Sequence, residues 1–169
     1  MNSLYLNKKH IKSFIIILIA LFISYFYPVN LYKNSKNITV SRVIDGDTIE
    51  LNTGEKLRYI GIDTPEINFG KDPECFAIQA KEFNKKLVEN KVVKIEKDVS
   101  EKDKFGRLLR YVYVENESTT SAIFINDYLV RQGYAIVSTY PPDIAHIEDL
   151  LTAQQEAREN NRGMWKNCN

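Results

Sequence analysis

The sequence predicts an α+β fold: a five-stranded sheet with three helices, preceded by an N-terminal hydrophobic helix. Three observations lead there. Five short runs are β-branched or alternate apolar with polar residues, and turn signals separate them. Three longer runs repeat apolar residues every three to four positions. The charge is divided: residues 1–36 carry five lysines and no acid, while the rest sets 18 basic against 22 acidic residues. A chain of 169 residues allows one domain of ordinary size, or one domain plus a targeting segment. With 44% hydrophobic and 27% charged residues it is neither disordered by composition nor a multi-span membrane protein. Two Cys and two His are too few for a Cys/His zinc site. The mildly acidic remainder excludes bulk electrostatic attraction to nucleic acid, so any bound anion must meet locally placed cations.

The chain divides into residues 1–36 and a globular part over 37–169. Phe14 to Tyr27 is uncharged, and Lys8, Lys9 and Lys12 precede it. A basic flank before an apolar run is a targeting pattern. No small-residue cleavage site of the A-x-A kind appears before Val40. The favoured reading is an uncleaved anchor that enters the membrane through residues 14–31, with Tyr25, Tyr27 and Tyr32 at the outer interface. The alternative is a signal segment removed on secretion. Both place residues from about 37 onward outside the cytoplasm. In that oxidising compartment Cys75 and Cys168 read as one disulfide, against the alternative of two unrelated buried thiols.

The elements follow in order. Ile38–Ile44 is a β-branched strand, and Asp45-Gly46-Asp47 turns the chain. Thr48–Asn52 and Lys56–Ile62 alternate on either side of Thr53-Gly54-Glu55, which completes a three-stranded meander. From Phe76 to Asn90 the period changes, with Phe76, Ala80, Phe83, Leu87 and Val88 on a helical stripe. Val92–Glu96 and Leu108–Val114 are the fourth and fifth strands. Ser121–Gln132 reads as a helix stopped by Gly133. Asp143–Asn161 reads as a third, with Asp143 as its N-cap. Five short strands in this order suit a partly open barrel of the OB type.

Three polar clusters flank the strands. Asp45-Gly46-Asp47-Thr48 is readable as a hairpin turn alone, Asp63-Thr64-Pro65-Glu66 as a strand end running into proline, and Asp103-Lys104-Phe105-Gly106-Arg107 as a loop closed by glycine. Arg58 sits mid-strand, on the face opposite Leu57 and Tyr59, where a solvated arginine is the plain alternative. Together they answer one chemical problem. Hydrolysis of a phosphodiester needs charge on the phosphoryl oxygens neutralised and a water directed in line. Arg58 and Arg107 supply bidentate donors, Asp47 and Asp63 hard oxygen ligands for a Ca2+-like ion, and Glu66 a carboxylate for the water.

Here the chain resembles the thermonuclease, or staphylococcal nuclease-like, family. The resemblance runs through Val43-Ile44-Asp45-Gly46-Asp47-Thr48, Arg58 ahead of Asp63-Thr64-Pro65-Glu66, and Asp103 to Arg107. It continues in Phe83 to Asn90 and in Leu129-Val130-Arg131-Gln132-Gly133-Tyr134-Ala135, and spans about residues 38–165. It implies an OB-fold barrel with three helices. It also implies Ca2+-dependent cleavage of DNA and RNA on the 5′-oxygen side, leaving 3′-phosphates. By motif, Arg58, Glu66 and Arg107 are catalytic, and Asp47, Asp63 and the carbonyl of Thr64 bind the metal. Glu66 is the general base or orients the water.

The chain departs from the family in places. The family's tyrosine in the Lys-x-Gly-Arg loop is Phe105, which removes a phenolic contact to phosphate and leaves Lys104 as the substrate contact there. Tyr140, in Ser138-Thr139-Tyr140-Pro141-Pro142, stands for the family's base-stacking tyrosines. Stacking on one aromatic face predicts little base preference. A monomer is expected. The competing reading is a non-catalytic OB-fold nucleic-acid-binding module tethered to the membrane. It predicts loss of at least one of Arg58, Glu66 and Arg107, and all three are present.

Overall fold

The computed structural model describes residues 37–67, 70, 72–115 and 121–168. The N-terminal hydrophobic segment, including residues 14–31, lies outside them. Among the described residues no helix is long and apolar enough to cross a membrane. In chain order the elements are β1 (Val40–Val43), β2 (Thr48–Leu51), β3 (Lys56–Tyr59), β4 (Ile62–Asp63) and α1 (Ala77–Val88). Then come β5 (Val93–Glu96), β6 (Leu108–Glu115), β7 (Ala122–Phe124), α2 (Ile125–Arg131), β8 (Ile136–Val137), α3 (Ile147–Glu159) and α4 (Met164–Asn167).

The five strands read from alternation form one mixed sheet in the order β1-β2-β3-β6-β5, with β7 added to β6. β1 and β2 are antiparallel, Val43 opposite Ile49, and β2 and β3 are antiparallel, Thr48 opposite Arg58. β3 and β6 run parallel, Arg58 opposite Leu109. The outer strands meet at one end only. Thr39 bridges Val92, Val93 N–H donates to the Ile38 carbonyl (2.8 Å) and Val40 N–H to the Lys91 carbonyl (3.1 Å). The result is an α+β mixed sheet whose outer strands touch at one end without closing, which agrees with the partly open arrangement expected. The inner face carries Val40, Ile49, Leu57, Tyr59 and Val112, and Leu129 of α2 with Leu150 and Ala153 of α3 joins the same core. Burial of such side chains supplies most of the driving force, about 1.5–3 kcal/mol each.

Three boundaries differ from expectation. The third strand ends at Tyr59, because the chain breaks at Gly61 before pairing again as β4 with β8, Ile62 opposite Val137 and Asp63 opposite Ile136. The second helix starts at Ile125: Ala122–Phe124 extend the edge of β6, and their ladder bonds outweigh a weak helical period. Asp143 is not the cap of the third helix, which starts after His146. Its carboxylate instead accepts the N–H groups of Val99 (3.0 Å) and Ser100 (2.7 Å), tying the loop after β5 to the segment before α3. Gly133 does stop α2, at φ 74°, and a Cβ there would meet the Arg162 carbonyl oxygen at 2.2 Å. Three helices of at least seven residues are described, followed by the four-residue α4.

Candidate active site

The turn between β1 and β2 is built around a missing side chain. A Cβ on Gly46 would lie 2.5 Å from Thr64 Oγ1, so glycine lets the turn close onto Thr64. That approach puts Asp47 against Thr64. Asp47 Oδ2 accepts the Thr64 N–H (3.0 Å) and the Thr64 hydroxyl (3.1 Å), and Oδ1 accepts the Thr48 hydroxyl (3.1 Å). Asp47 is only 3% exposed. A buried carboxylate needs a cation, and Arg58 provides it. Arg58 Nη1 lies against Asp47 Oδ2 as an ion pair, and Nη2 donates to Asp63 Oδ1 (2.7 Å). The Arg58 side chain is 16% exposed, so the solvated-strand alternative does not describe it.

Arg107 reaches the same face by sheet geometry. Opposite residues of a parallel pair share a face, and so do residues two apart along a strand. Arg58 faces Leu109, so Arg107 extends on the Arg58 side. Its Nη1 donates to Thr48 Oγ1 (3.3 Å), which links it through that hydroxyl to Asp47. Asp103 fixes the loop behind it: Oδ1 accepts the N–H groups of Phe105 (2.9 Å) and Arg107 (3.0 Å), and Oδ2 accepts Arg107 Nε (2.7 Å). Against the burial that would raise it, these bonds hold the Asp103 carboxyl below its ordinary value.

The acids crowd. Burial pushes the Asp47 carboxyl up to about 7, the Arg58 charge opposes the rise, and the nearby Asp45 adds to it. Glu66 is raised as well, first by desolvation and then by the charges of Asp45 and Asp63. Glu66 stands exposed after β4, close enough to feel those acids but without a side-chain hydrogen bond among the described residues. A divalent cation would relieve this repulsion. The donors are all hard oxygens, as Ca2+ requires. No group of three or more acidic, His or Cys side chains able to share one ion occurs among the described residues. Asp47 and Asp63 are brought together by Arg58, which pairs with both, and their oxygens are of the hard kind that Ca2+ takes.

A cleft of about 490 Å3 opens beside Arg58 and Arg107 and is also lined by Lys104, Phe105 and Tyr140. Tyr140 is 76% and Phe105 71% exposed. Lys104 Nζ lies 5.0 Å and Arg107 Cζ 5.4 Å from the centre of the Phe105 ring. Tyr140 follows β8, and the Pro141–Pro142 bond after it is cis. The structure thus brings Asp47, Arg58, Asp63, Thr64 and Arg107 into one bonded network, sets Lys104 and Tyr140 in the adjoining cleft, and leaves Glu66 on an exposed segment. Thr48 and Gly46 were not singled out from sequence, although both lie inside the Asp45–Thr48 string. Cys75 and Cys168 are bonded to each other, Cα to Cα 5.8 Å.

Known proteins share this arrangement of sequence. The profile of the family described as staphylococcal nuclease homologue matches residues 56–167. The thermonuclease of Staphylococcus hyicus is 35% identical over 138 residues, 79% of this chain and 78% of that protein. The thermonuclease of Staphylococcus intermedius is 33% identical over 172 aligned positions, 94% of this chain and 99% of that protein. Endonuclease YncB of Bacillus subtilis is 35% identical over 144, covering 79% of this chain and 64% of its own. The chain belongs to the staphylococcal nuclease family.

Proposed function

We propose that this protein is a nuclease that hydrolyses phosphodiester bonds of DNA and RNA in a Ca2+-dependent reaction, cutting on the 5′-oxygen side to leave 3′-phosphates, and that residues 37–169 form the nuclease domain. The observation that carries the reading is the pair Arg58 and Arg107. They share one face of adjacent parallel strands, are joined through Asp47 and Thr48, and open onto one cleft.

Each residue has a distinct task. Arg58 and Arg107 hold phosphoryl oxygens with planar forks that match two oxygens at once. Arg107 stands in a loop already shaped by Asp103, so it stabilises the charge on the transferring group and the leaving oxygen with little reorganisation. Glu66 orients the attacking water and takes its proton, and a carboxyl with a raised pKa is the better acceptor. Asp47, Asp63 and the Thr64 carbonyl would hold Ca2+, which supplies Lewis-acid polarisation of a phosphoryl oxygen when bound. Lys104 and Tyr140 bind the neighbouring phosphate and base, with little base preference. The test is cleavage of single-stranded DNA by the purified chain, in Ca2+ and in EDTA, with end-group analysis. Products bearing 3′-phosphate in Ca2+ alone are expected. Undiminished cutting in EDTA, or 5′-phosphate ends, would sink the assignment.

The Cys75–Cys168 bond supports a position outside the cytoplasm. The proposal keeps the protein on the membrane through residues 14–31, as a monomer. Sequencing the N-terminus of the mature protein separates this from secretion: a start between about Ser24 and Asn37, with activity free in the medium, would mean a released enzyme.

A further inference from the structure

Glu66 differs from the two arginines in how it is held. Asp47 and Asp63 grip Arg58, and Asp103 and Thr48 grip Arg107. The Glu66 carboxylate has no such partner among the described residues, so its place is set through its main chain. That main chain is clasped. Glu66 N–H donates to Glu74 Oε2 (3.0 Å), and Glu74 N–H donates back to the Glu66 carbonyl (3.1 Å). Glu74 is fixed in turn: its carbonyl accepts the N–H of Ala77, the first residue of α1 (3.1 Å). Its neighbour Cys75 is bonded to Cys168. Cys168 N–H donates to the Met164 carbonyl (2.9 Å), and Met164 N–H to the Gly133 carbonyl (2.8 Å), so the bridge ends on the turn after α2.

We propose that Glu74 is a positioning residue for the Glu66 carboxylate, and that the Cys75–Cys168 bridge holds Glu74 in register for that task. The inference rests on the nuclease reading of Glu66. A carboxylate on an exposed segment samples many positions, and a misplacement of about 1 Å costs up to 10²-fold in rate. A reciprocal pair of main-chain bonds, one of them charge-assisted, narrows that sampling without occupying the catalytic carboxylate itself. Glu74 also adds a negative charge beside Glu66 and its acids. The acceptor oxygen that Glu74 presents to the Glu66 N–H offsets that repulsion. The disulfide stands outside the chemistry and acts one step further back.

The test pairs steady-state cleavage of single-stranded DNA in Ca2+ with hydrogen exchange at the Glu66 amide, using the full chain. Glu74→Ala should lower kcat about tenfold with KM within about twofold, and should speed exchange at Glu66. Glu74→Gln keeps an oxygen acceptor and should return kcat to within about threefold of wild type. The double variant Cys75→Ser with Cys168→Ser should fall between the two, with exchange at the core amide of Val112 unchanged. Unaltered kcat and unaltered Glu66 exchange in Glu74→Ala overturn the proposal, and so does a Glu74→Gln enzyme as slow as Glu74→Ala. If the wild-type chain cleaves no nucleic acid, the nuclease reading fails, and exchange at Glu66 in Glu74→Ala still decides whether Glu74 holds that residue.

Discussion

The site has two halves built by different means. Asp47, Thr48, Arg58 and Arg107 sit on or beside β2, β3 and β6, cross-linked by hydrogen bonds and ion pairs and largely shielded. Glu66, Lys104, Phe105 and Tyr140 sit on connecting segments, exposed to water. In the proposed reaction, the charges aimed at a phosphate stand on the sheet, and the groups that meet water and bases stand where the chain can vary its contacts. Rigid scaffold and adaptable loop are common partners in binding sites, and here the boundary between them falls between β4 and Glu66.

The largest expected effect tests the sheet-borne half as a whole. Chelation with EDTA should reduce cleavage more than about 10³-fold, because the acids that crowd Asp47 then lack the cation that offsets them; residual activity within tenfold of the Ca2+ rate would show that the acids serve only Arg58. Next, Arg58→Lys should lower kcat by about 10²-fold, although the charge is kept, since an ammonium cannot span Asp47 and Asp63 while presenting a planar fork. A loss under threefold would place Arg58 outside the chemistry. Gly46→Ala should follow, with about 1–3 kcal/mol less stability by denaturant titration and a lower kcat, because the new methyl displaces Thr64 from Asp47.

The loop-borne half should respond differently. Tyr140→Ala should raise KM about fivefold with kcat nearly constant, as loss of a stacking face weakens ground state and transition state alike. A fall in kcat without a change in KM would mean that Tyr140 belongs with the sheet-borne group. The smallest effect lies in stability. Against the burial that raises it, hydrogen bonds from Ser100 and Val99 hold the Asp143 carboxyl below its ordinary value. A carboxylate with a folded pKa below its unfolded one contributes stability above the unfolded value and loses it as pH falls through the folded one. Asp143→Asn should therefore cost about 1 kcal/mol at pH 7 and less near pH 3; an equal cost at both would refute the ionic origin.

Much of this was legible in the chain. β-Branching and alternation located five of the six strands of the main sheet, and the turn chemistry of Asp45-Gly46-Asp47 located the turn between β1 and β2. The short ladders β4, β7 and β8 were not visible, since two or three residues carry no period, and Ala122–Phe124 passed for helix for that reason. Asp143 looked like a cap because an acid before an apolar run has that signature. Its partners, Val99 and Ser100, lie far upstream, where local reasoning does not reach. The site divides likewise. Arg58, Asp47 and Asp63 were found as residue types, whereas the contacts of Thr48 with Arg107 and of Glu74 with Glu66 join segments apart in the chain.

The parallel pairing of β3 with β6 has a consequence for the order of folding. The meander β1-β2-β3 is local and can form early, and it carries Asp47 and Arg58. Arg107 joins them only when β6 docks beside β3, after a crossover that includes α1 and β5. Contacts of such high sequence separation form late and slowly. In the proposed reaction, a chain whose β6 has not yet paired with β3 lacks one of its two phosphate-binding arginines, so cleavage waits on that pairing. The topology itself delays the appearance of a destructive activity until the molecule is whole.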